Sequence, residues 1–294
     1  MFSFCCRTWV ILACLLYATR LTRSKKVKFV SVLTKFFHCQ SQSSCDMASN
    51  FEKLVKTWKL GKIDYARALR LQEHVSSLHN DSKNHVKNTL LCLEHYPVYT
   101  IGLRTKQYDL NEEVKLRNTG ADFHKTNRGG LITFHGPGQL VVYPILNLKH
   151  FTPSMRWYVC QIEKTIIRLC EKFGLKAETS PDTGVWIGNN KICAIGIHGS
   201  RFITTHGLAL NCNTDLTWFD NIVPCGLIGK GVTSLTNELK QNVSIEEVLP
   251  KFIESFCETF ECDCTEIDRA EVDRINQSLD VQTDSGTKTE LIKS

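Results

Sequence analysis

The sequence predicts an α/β or α+β domain of enzyme size over about residues 50–260, with dispensable ends. Three observations predict it. Apolar runs of strand length alternate with amphipathic stretches of helix length, and Gly-rich segments punctuate them. The chain has 294 residues, 42% hydrophobic and 22% charged, enough to bury the core of one large domain or two small ones.

The elements follow in order. Residues 1–46 read as a leader and 47–60 as a basic approach to the domain. From Asp64 to about His79, Ala66, Leu69, Val75 and Leu78 supply a helical stripe. Asn88 to Leu93 is an apolar run consistent with a buried strand, ended by Glu94-His-Tyr-Pro97. Residues 103–127 are polar and are expected to form a loop. Leu131–Phe134 and Leu140–Leu146 are β-rich runs around His135-Gly-Pro-Gly138, which demands a turn. Ser154–Phe173 carries Val159, Ile162, Ile166, Leu169 and Phe173 at helical spacing, with Gly174 as C-cap. Strands are expected at 184–188, 191–198 and 206–211, the first two joined by Asn189-Asn190. Ser244 and Glu247 make a capping box for a last helix through Phe260, in which Pro250 removes one backbone bond. Residues 265–294, charged and poor in aromatics, are expected to be disordered.

The formal charge of +6 resides in the leader. No acidic residue precedes Asp46, while Arg7, Arg20, Arg23, Lys25, Lys26, Lys28 and Lys35 are all basic. The rest of the chain is near neutral, which gives no case for a nucleic-acid-binding face. The leader's apolar stretch, Trp9 to Ala18, is too short for a stable membrane span. It reads locally either as a mitochondrial presequence or as a secretory signal. Met47 offers a downstream start that would leave the protein in the cytoplasm.

Of 14 cysteines, Cys5, Cys6, Cys14, Cys39 and Cys45 fall in the leader. The remainder are odd in number and scattered through apolar segments, as expected of free thiols in a reducing compartment. Sequons at Asn80, Asn242 and Asn276 have meaning only in a secreted chain. Cys262-Asp-Cys264 has too few sequence neighbours for a zinc site, no GxxxxGK[ST] phosphate loop occurs, and Asp182-Thr-Gly184 has no second copy of the kind an aspartic protease needs. Asp215 and Asp220 read as turn or capping residues. No cofactor or metal is expected.

Chemistry concentrates in Arg128-Gly-Gly-Leu-Ile-Thr-Phe-His-Gly-Pro-Gly-Gln139, Gly184-Val-Trp186, Lys191-Ile-Cys-Ala-Ile-Gly196, His206-Gly-Leu-Ala-Leu-Asn211, Pro224-Cys-Gly226 and Val232-Thr-Ser-Leu235. Cys225, between proline and glycine, is a turn cysteine and a candidate nucleophile, whereas Cys193 and Cys212 lie in apolar strands and read as packing. A lysine taken alone is most often solvated. His135 and His206 leave a Cys–His pairing open.

These motifs, in this order over roughly residues 60–260, resemble those of the lipoyl(octanoyl) transferases. The resemblance implies the fold shared with biotin and lipoate ligases, mixed β-sheets flanked by helices in a single catalytic domain, here over 47–264. It implies transfer of an octanoyl group from octanoyl-acyl carrier protein to a specific lysine. The acceptors would be lipoyl domains of 2-oxoacid dehydrogenase complexes and the glycine cleavage H protein. Cys225 then matches the nucleophile and Lys191 its partner lysine. Substrate contacts fall on Arg128, Gly129, Gly130, Leu131, Ile132, Thr133, Phe134 and His135, on Ala194, Ile195 and Gly196, and on Gly207, Leu208 and Ala209. Their small residues would let backbone line a narrow apolar slot and offer N–H groups to an oxyanion. Combined with the basic leader, the resemblance implies the mitochondrial matrix. The alternatives are an ATP-dependent lipoate or biotin ligase and a non-catalytic lipoyl-domain binder. The missing nucleotide motif and the Pro-Cys-Gly turn argue against the first, and the intact motifs against the second.

Overall fold

A long mixed sheet carries the site. The computed structural model describes residues 53–79, 88–104, 110–222 and 229–290, with 280–290 described by backbone alone; the leader and the Pro224-Cys-Gly226 turn lie outside these residues. The strands of the large sheet are β1 (Leu54–Ile63), β2 (Asn88–His95), β6 (Gln139–Ile145), β7 (Glu178–Thr179), β8 (Val185–Ile187), β9 (Asn190–Ser200), β10 (Ile203–Asn211), β11 (Gly231–Val232) and β12 (Asp263–Glu266). Their spatial order is β12-β1-β2-β6-β10-β9-β8-β7, with β11 pairing in parallel beside β9. β1 runs parallel to both β2 and β12, and the centre from β2 to β8 is antiparallel. A small sheet holds β3 (Val98–Ile101) between β4 (Asp122–Lys125) and β5 (Thr133–His135).

Helices cover the large sheet: α1 (Tyr65–Leu78), α3 (Met155–Lys172), α5 (Ile245–Phe260) and α6 (Arg269–Glu290), with the shorter α2 (Leu110–Arg117) and α4 (Leu235–Leu239) between them. On one face, Ile162, Ile166 and Leu169 of α3 and Val248, Phe252 and Phe256 of α5 close over Leu90, Leu140, Val142 and Leu210. Each such fully buried side chain contributes about 1.5–3 kcal/mol. Ser154 and Ser244 cap these two helices, their hydroxyls accepting from Trp157 N and Glu247 N. On the other face, Ala68, Leu71 and Val75 of α1 pack with Trp58, Leu91, Val141 and Tyr143. The small sheet has its own core, with Tyr99, Ile101, Phe123, Ile132, Phe134 and Phe219.

The mixed-sheet, helix-flanked architecture is as the sequence predicts, but three segments differ. Residues 47–60 end in β1, where Val55, Thr57 and Trp58 are buried while Lys56, Lys59 and Lys62 are more exposed. Residues 103–127 hold α2 and β4, because Leu116 and Phe123 anchor them to the small-sheet core. Of residues 265–294, expected to be disordered, those up to Glu290 instead contribute to β12 and α6. Val272, Ile275 and Leu279 recur at helical spacing and pack with Ile267 against the α1 face, and Ser278 Oγ lies 2.9 Å from His74 Nε2. Among the described residues no helix is long and apolar enough to cross a membrane.

Candidate active site

β5, β9 and β10 meet around a narrow cleft. Arg128 sits in the loop entering β5, where its buried guanidinium donates from one nitrogen to Thr100 O and Thr100 Oγ1 (2.7 and 2.9 Å) and from the other to Gly129 O (2.9 Å). Gly129 N–H donates to Ile197 O at 2.9 Å, which lays the loop across β9. Gly196 permits this approach: a Cβ there would lie 3.0 Å from Arg128 Cδ and 3.1 Å from Gly129 O.

The resulting cleft, about 40 Å³, is lined by Arg128, Gly130, Leu131, Thr133 and His135, by Ala194, Ile195 and Gly196 and by Gly207, Leu208 and Ala209. Strand alternation divides the rest of the predicted set. Thr133 and His135 face the cleft, whereas Ile132 and Phe134 are fully buried in the small-sheet core, Phe134 stacked on Trp218 at 5.0 Å. Gly129 spends its N–H on Ile197, so that group is not offered to an oxyanion.

Sequence reasoning missed Tyr65 and Tyr143, which also line the cleft, and His95 behind them. Tyr65 stacks on His135 at 6.2 Å, and Tyr143 donates its hydroxyl to His95 Nε2 at 2.9 Å. The donor assignment follows from the other ring nitrogen of His95, whose N–H faces the acceptor Ile63 O at 2.9 Å. No local motif marks these residues, which come together only when β2 pairs with β6 and the start of α1 packs against them.

The histidines are held neutral. Burial lowers His95 and His206 to about 4 and His135 well below the usual imidazole value, and the Arg128 charge pushes the latter two the same way. His206 takes a left-handed conformation (φ 57°), its N–H donating to Gln72 Oε1 (2.7 Å) and its Nε2 bonded to Asn127 Oδ1 (2.7 Å). It stands between the cleft and a larger depression of about 210 Å³ beside Gln72, Asn127 and His198. His135 Nδ1 donates to Gln139 Oε1 (2.8 Å), Gln139 Nε2 to Asn211 Oδ1 (2.9 Å), and Asn211 Nδ2 to Thr233 O (2.9 Å).

Lys191 lies off the cleft at the start of β9. It is buried, with Nζ donating to Thr183 O at 3.0 Å and 4.7 Å above the Trp186 ring. Gly184, at φ 128°, makes room for it: a Cβ would lie 2.7 Å from Cys193 O and 3.2 Å from Lys191 Cε. Asp182 of the same turn is held by Lys230 at 2.6 Å, and Glu163 Oε1 accepts from Gly184 N. Cys225 lies outside the described residues. The chain that follows it pairs directly with the lysine strand, Val232 against Lys191, and Thr233 N–H donates to Lys191 O at 3.0 Å. Cys193 and Cys212 are fully buried, as their packing role requires. Asp215 caps the turn 216–221.

Residues 64–257 match the lipoyl protein ligase A/B catalytic domain family. The chain is 62% identical over 211 residues to the mitochondrial octanoyl-[acyl-carrier-protein]:protein N-octanoyltransferase of Danio rerio, covering 72% of this chain and 94% of the relative. The corresponding protein of Homo sapiens is 46% identical, with 71% and 94% covered, and the octanoyltransferase of Desulforamulus reducens 42%, with 74% and 96% covered. Among solved structures, the bipartite lipoate protein ligase of Thermoplasma acidophilum has a TM-score of 0.59 at 20% identity, covering 78% of this chain and 91% of its own. A lipoate-protein ligase A bound with ATP also scores 0.59, at 17% identity and with 78% and 94% covered. These two likenesses concern the fold alone. The chain belongs to the lipoyl protein ligase A/B catalytic domain family and, within it, to the octanoyltransferases.

Proposed function

We propose that this protein transfers an octanoyl group from octanoyl-acyl carrier protein to a specific lysine of lipoyl domains, through an S-octanoyl intermediate on Cys225. The observation that carries the mechanism is the burial of Lys191 against Gly184 and Trp186, with the strand that follows the cysteine turn paired onto it. The Lys191 amine accepts the Cys225 proton, and the thiolate attacks the thioester carbonyl. The carrier thiolate leaves and takes up that proton from Lys191. In the second half-reaction the neutral acceptor amine attacks the S-acyl group, its surplus proton passes to Lys191, and Lys191 delivers it to the expelled Cys225 thiolate as the amide forms. Amide formation from a thioester is downhill, so no nucleotide is consumed. Arg128, Gly130, Leu131, Thr133, His135, Ala194–Gly196 and Gly207–Ala209 line the acyl chain's path, joined by Tyr65 and Tyr143.

The acceptors are the lipoyl domains of 2-oxoacid dehydrogenase complexes and the glycine cleavage H protein. The compartment is the mitochondrial matrix, with residues 1–46 as the targeting leader. The mitochondrial names of the animal relatives support this reading, as does the basic, acid-free character of residues 1–45.

The test is intact mass after incubation of the leader-free protein with octanoyl-acyl carrier protein and no ATP. The expected result is one hydroxylamine-labile octanoyl group, absent from Cys225→Ala and discharged by a lipoyl domain, with acylation slowed in Lys191→Ala. Normal transfer by Cys225→Ala would overturn the mechanism, and an absolute need for ATP with free octanoate would overturn the transfer itself.

A further inference from the structure

The C-terminal end of α5 gathers three cysteines, none of which lines the cleft. Phe260 closes the helix and Glu261 turns left-handed at φ 52°. In a helix end of this kind the first amide beyond the left-handed residue donates back to a carbonyl of the last turn, and the two side chains concerned come into contact. Here Cys262 N–H donates to Cys257 O at 3.2 Å, so the pair that normally makes an apolar contact is a pair of thiols. Cys264 lies two residues further along β12, and strand alternation returns it to the side of Cys262. The three Sγ atoms lie within 4.8 Å of one another. The sequence shows the Cys262-Asp-Cys264 pair, and the helix cap supplies the partner that spacing alone leaves out.

Other thiols of the domain differ in kind. Cys92, Cys170 and Cys212 are fully buried in apolar surroundings, and burial pushes each up to about 12. The three at the helix end are partly exposed, and the exposed Glu261 and Asp263 carboxylates flank them. We propose that Cys257, Cys262 and Cys264 form a three-thiolate site for a single thiophilic d10 cation, Zn²⁺ or Cu⁺. Soft sulfur ligands select such ions, and a metal–sulfur bond of about 2.3 Å needs sulfurs about 3.8–4.0 Å apart, within reach by small side-chain rotations. The negative end of the helix dipole also favours a cation there. Each ligating thiol releases its proton to solvent, and for Zn²⁺ a water completes the tetrahedron. The bound ion would clip α5 to β12, whose Cys264 pairs with Val55 of β1.

Co²⁺ added to the reduced full-length protein under anaerobic conditions tests the site, followed by displacement with Zn²⁺ or with Cu⁺. The expected result is one Co²⁺ per chain with a near-ultraviolet thiolate charge-transfer band, lost in both Cys257→Ser and Cys264→Ser and kept in Cys225→Ala. Whichever ion displaces Co²⁺ at the lower concentration is the one the site takes. Octanoyl transfer by Cys264→Ser stays at the parent rate, which shows that the variant is folded. Absence of the band, or an equal band in the two serine variants, would overturn the proposal. So would closure of a disulfide within the trio while equimolar Zn²⁺ is present and remains unbound.

Discussion

Replacing Gly184 by alanine should disable Lys191 without touching it. The position has φ 128°, where an L residue is strained, and a new methyl would lie 2.7 Å from Cys193 O and 3.2–3.3 Å from Lys191 Cε and Cδ. The backbone strain costs about 1–3 kcal/mol. The carbonyl contact cannot relax by a side-chain rotation and brings the total to about 2–4 kcal/mol. For a domain of this size each kcal/mol moves Tm by about 2–4 °C, so a fall of roughly 4–16 °C is expected. The lysine stem must retreat by a few tenths of an ångström, which pulls Nζ from Thr183 O. Misplacement on that scale at a reacting group lowers a rate by about tenfold or more. Thermal unfolding gives the first quantity, and single-turnover acylation by octanoyl-acyl carrier protein, followed by intact mass, gives the second. Gly174→Ala is the control, since its φ is 73° with nothing within 4 Å, so it should lose about 1 kcal/mol and no rate. A Gly184→Ala protein with parental Tm and acylation rate would refute the reasoning.

Three further outcomes follow from the geometry. His95 and His206 titrate near 6.5 when unfolded and at about 4 when folded, so the unfolded chain binds the extra protons between those values. Stability is therefore full above pH 6.5 and falls as pH drops toward 4, by about 3 kcal/mol per ring at 1.36 kcal/mol per pH unit. Denaturant midpoints at pH 7 and 4.5 check this, and identical midpoints would contradict it. Ser244→Ala removes the cap on Glu247 N and should cost about 1 kcal/mol, seen as a lower urea midpoint with unchanged slope. Ile275→Asp should release α6 and expose the segment to limited proteolysis; a cleavage pattern like the parent's would show that the helix is not held by that contact.

Elements with strong local signals were legible in the sequence. The α3 stripe, the Ser244 cap and the turn at His135-Gly-Pro-Gly138 each carry their instruction within a few residues. β1 does not, because Lys56, Lys59 and Lys62 dominate its composition and its strand character depends on pairing with β2 and β12. α6 was hidden in the same way: three apolar residues in a polar tail form a stripe only once a receiving surface exists. In the site, the glycines of the motifs were legible because close backbone approach restricts residue type, whereas Lys191 stood out only through the resemblance to the octanoyltransferases. Tyr65, Tyr143 and His95 restrict nothing nearby and become visible only after folding. The inward turn of Ile132 and Phe134 was readable from strand alternation alone.

The chain of amides from His135 through Gln139 and Asn211 to Thr233 has a direction. It begins at a ring N–H and ends on a backbone carbonyl, so each amide between them is compelled to accept on one side and donate on the other. A half-turn of either amide would set two oxygens or two NH₂ groups face to face, and both neighbours oppose it. Gln139 Nε2 has a second backbone acceptor, Phe134 O at 3.2 Å, so the file is fixed near its start as well as at Thr233. The ring therefore keeps its proton on Nδ1 and presents a lone pair on Nε2 whether or not Asn211 keeps its bond to Thr233. One wall of the cleft is thus an acceptor by construction, able to receive a proton or an N–H from whatever enters but not to give one.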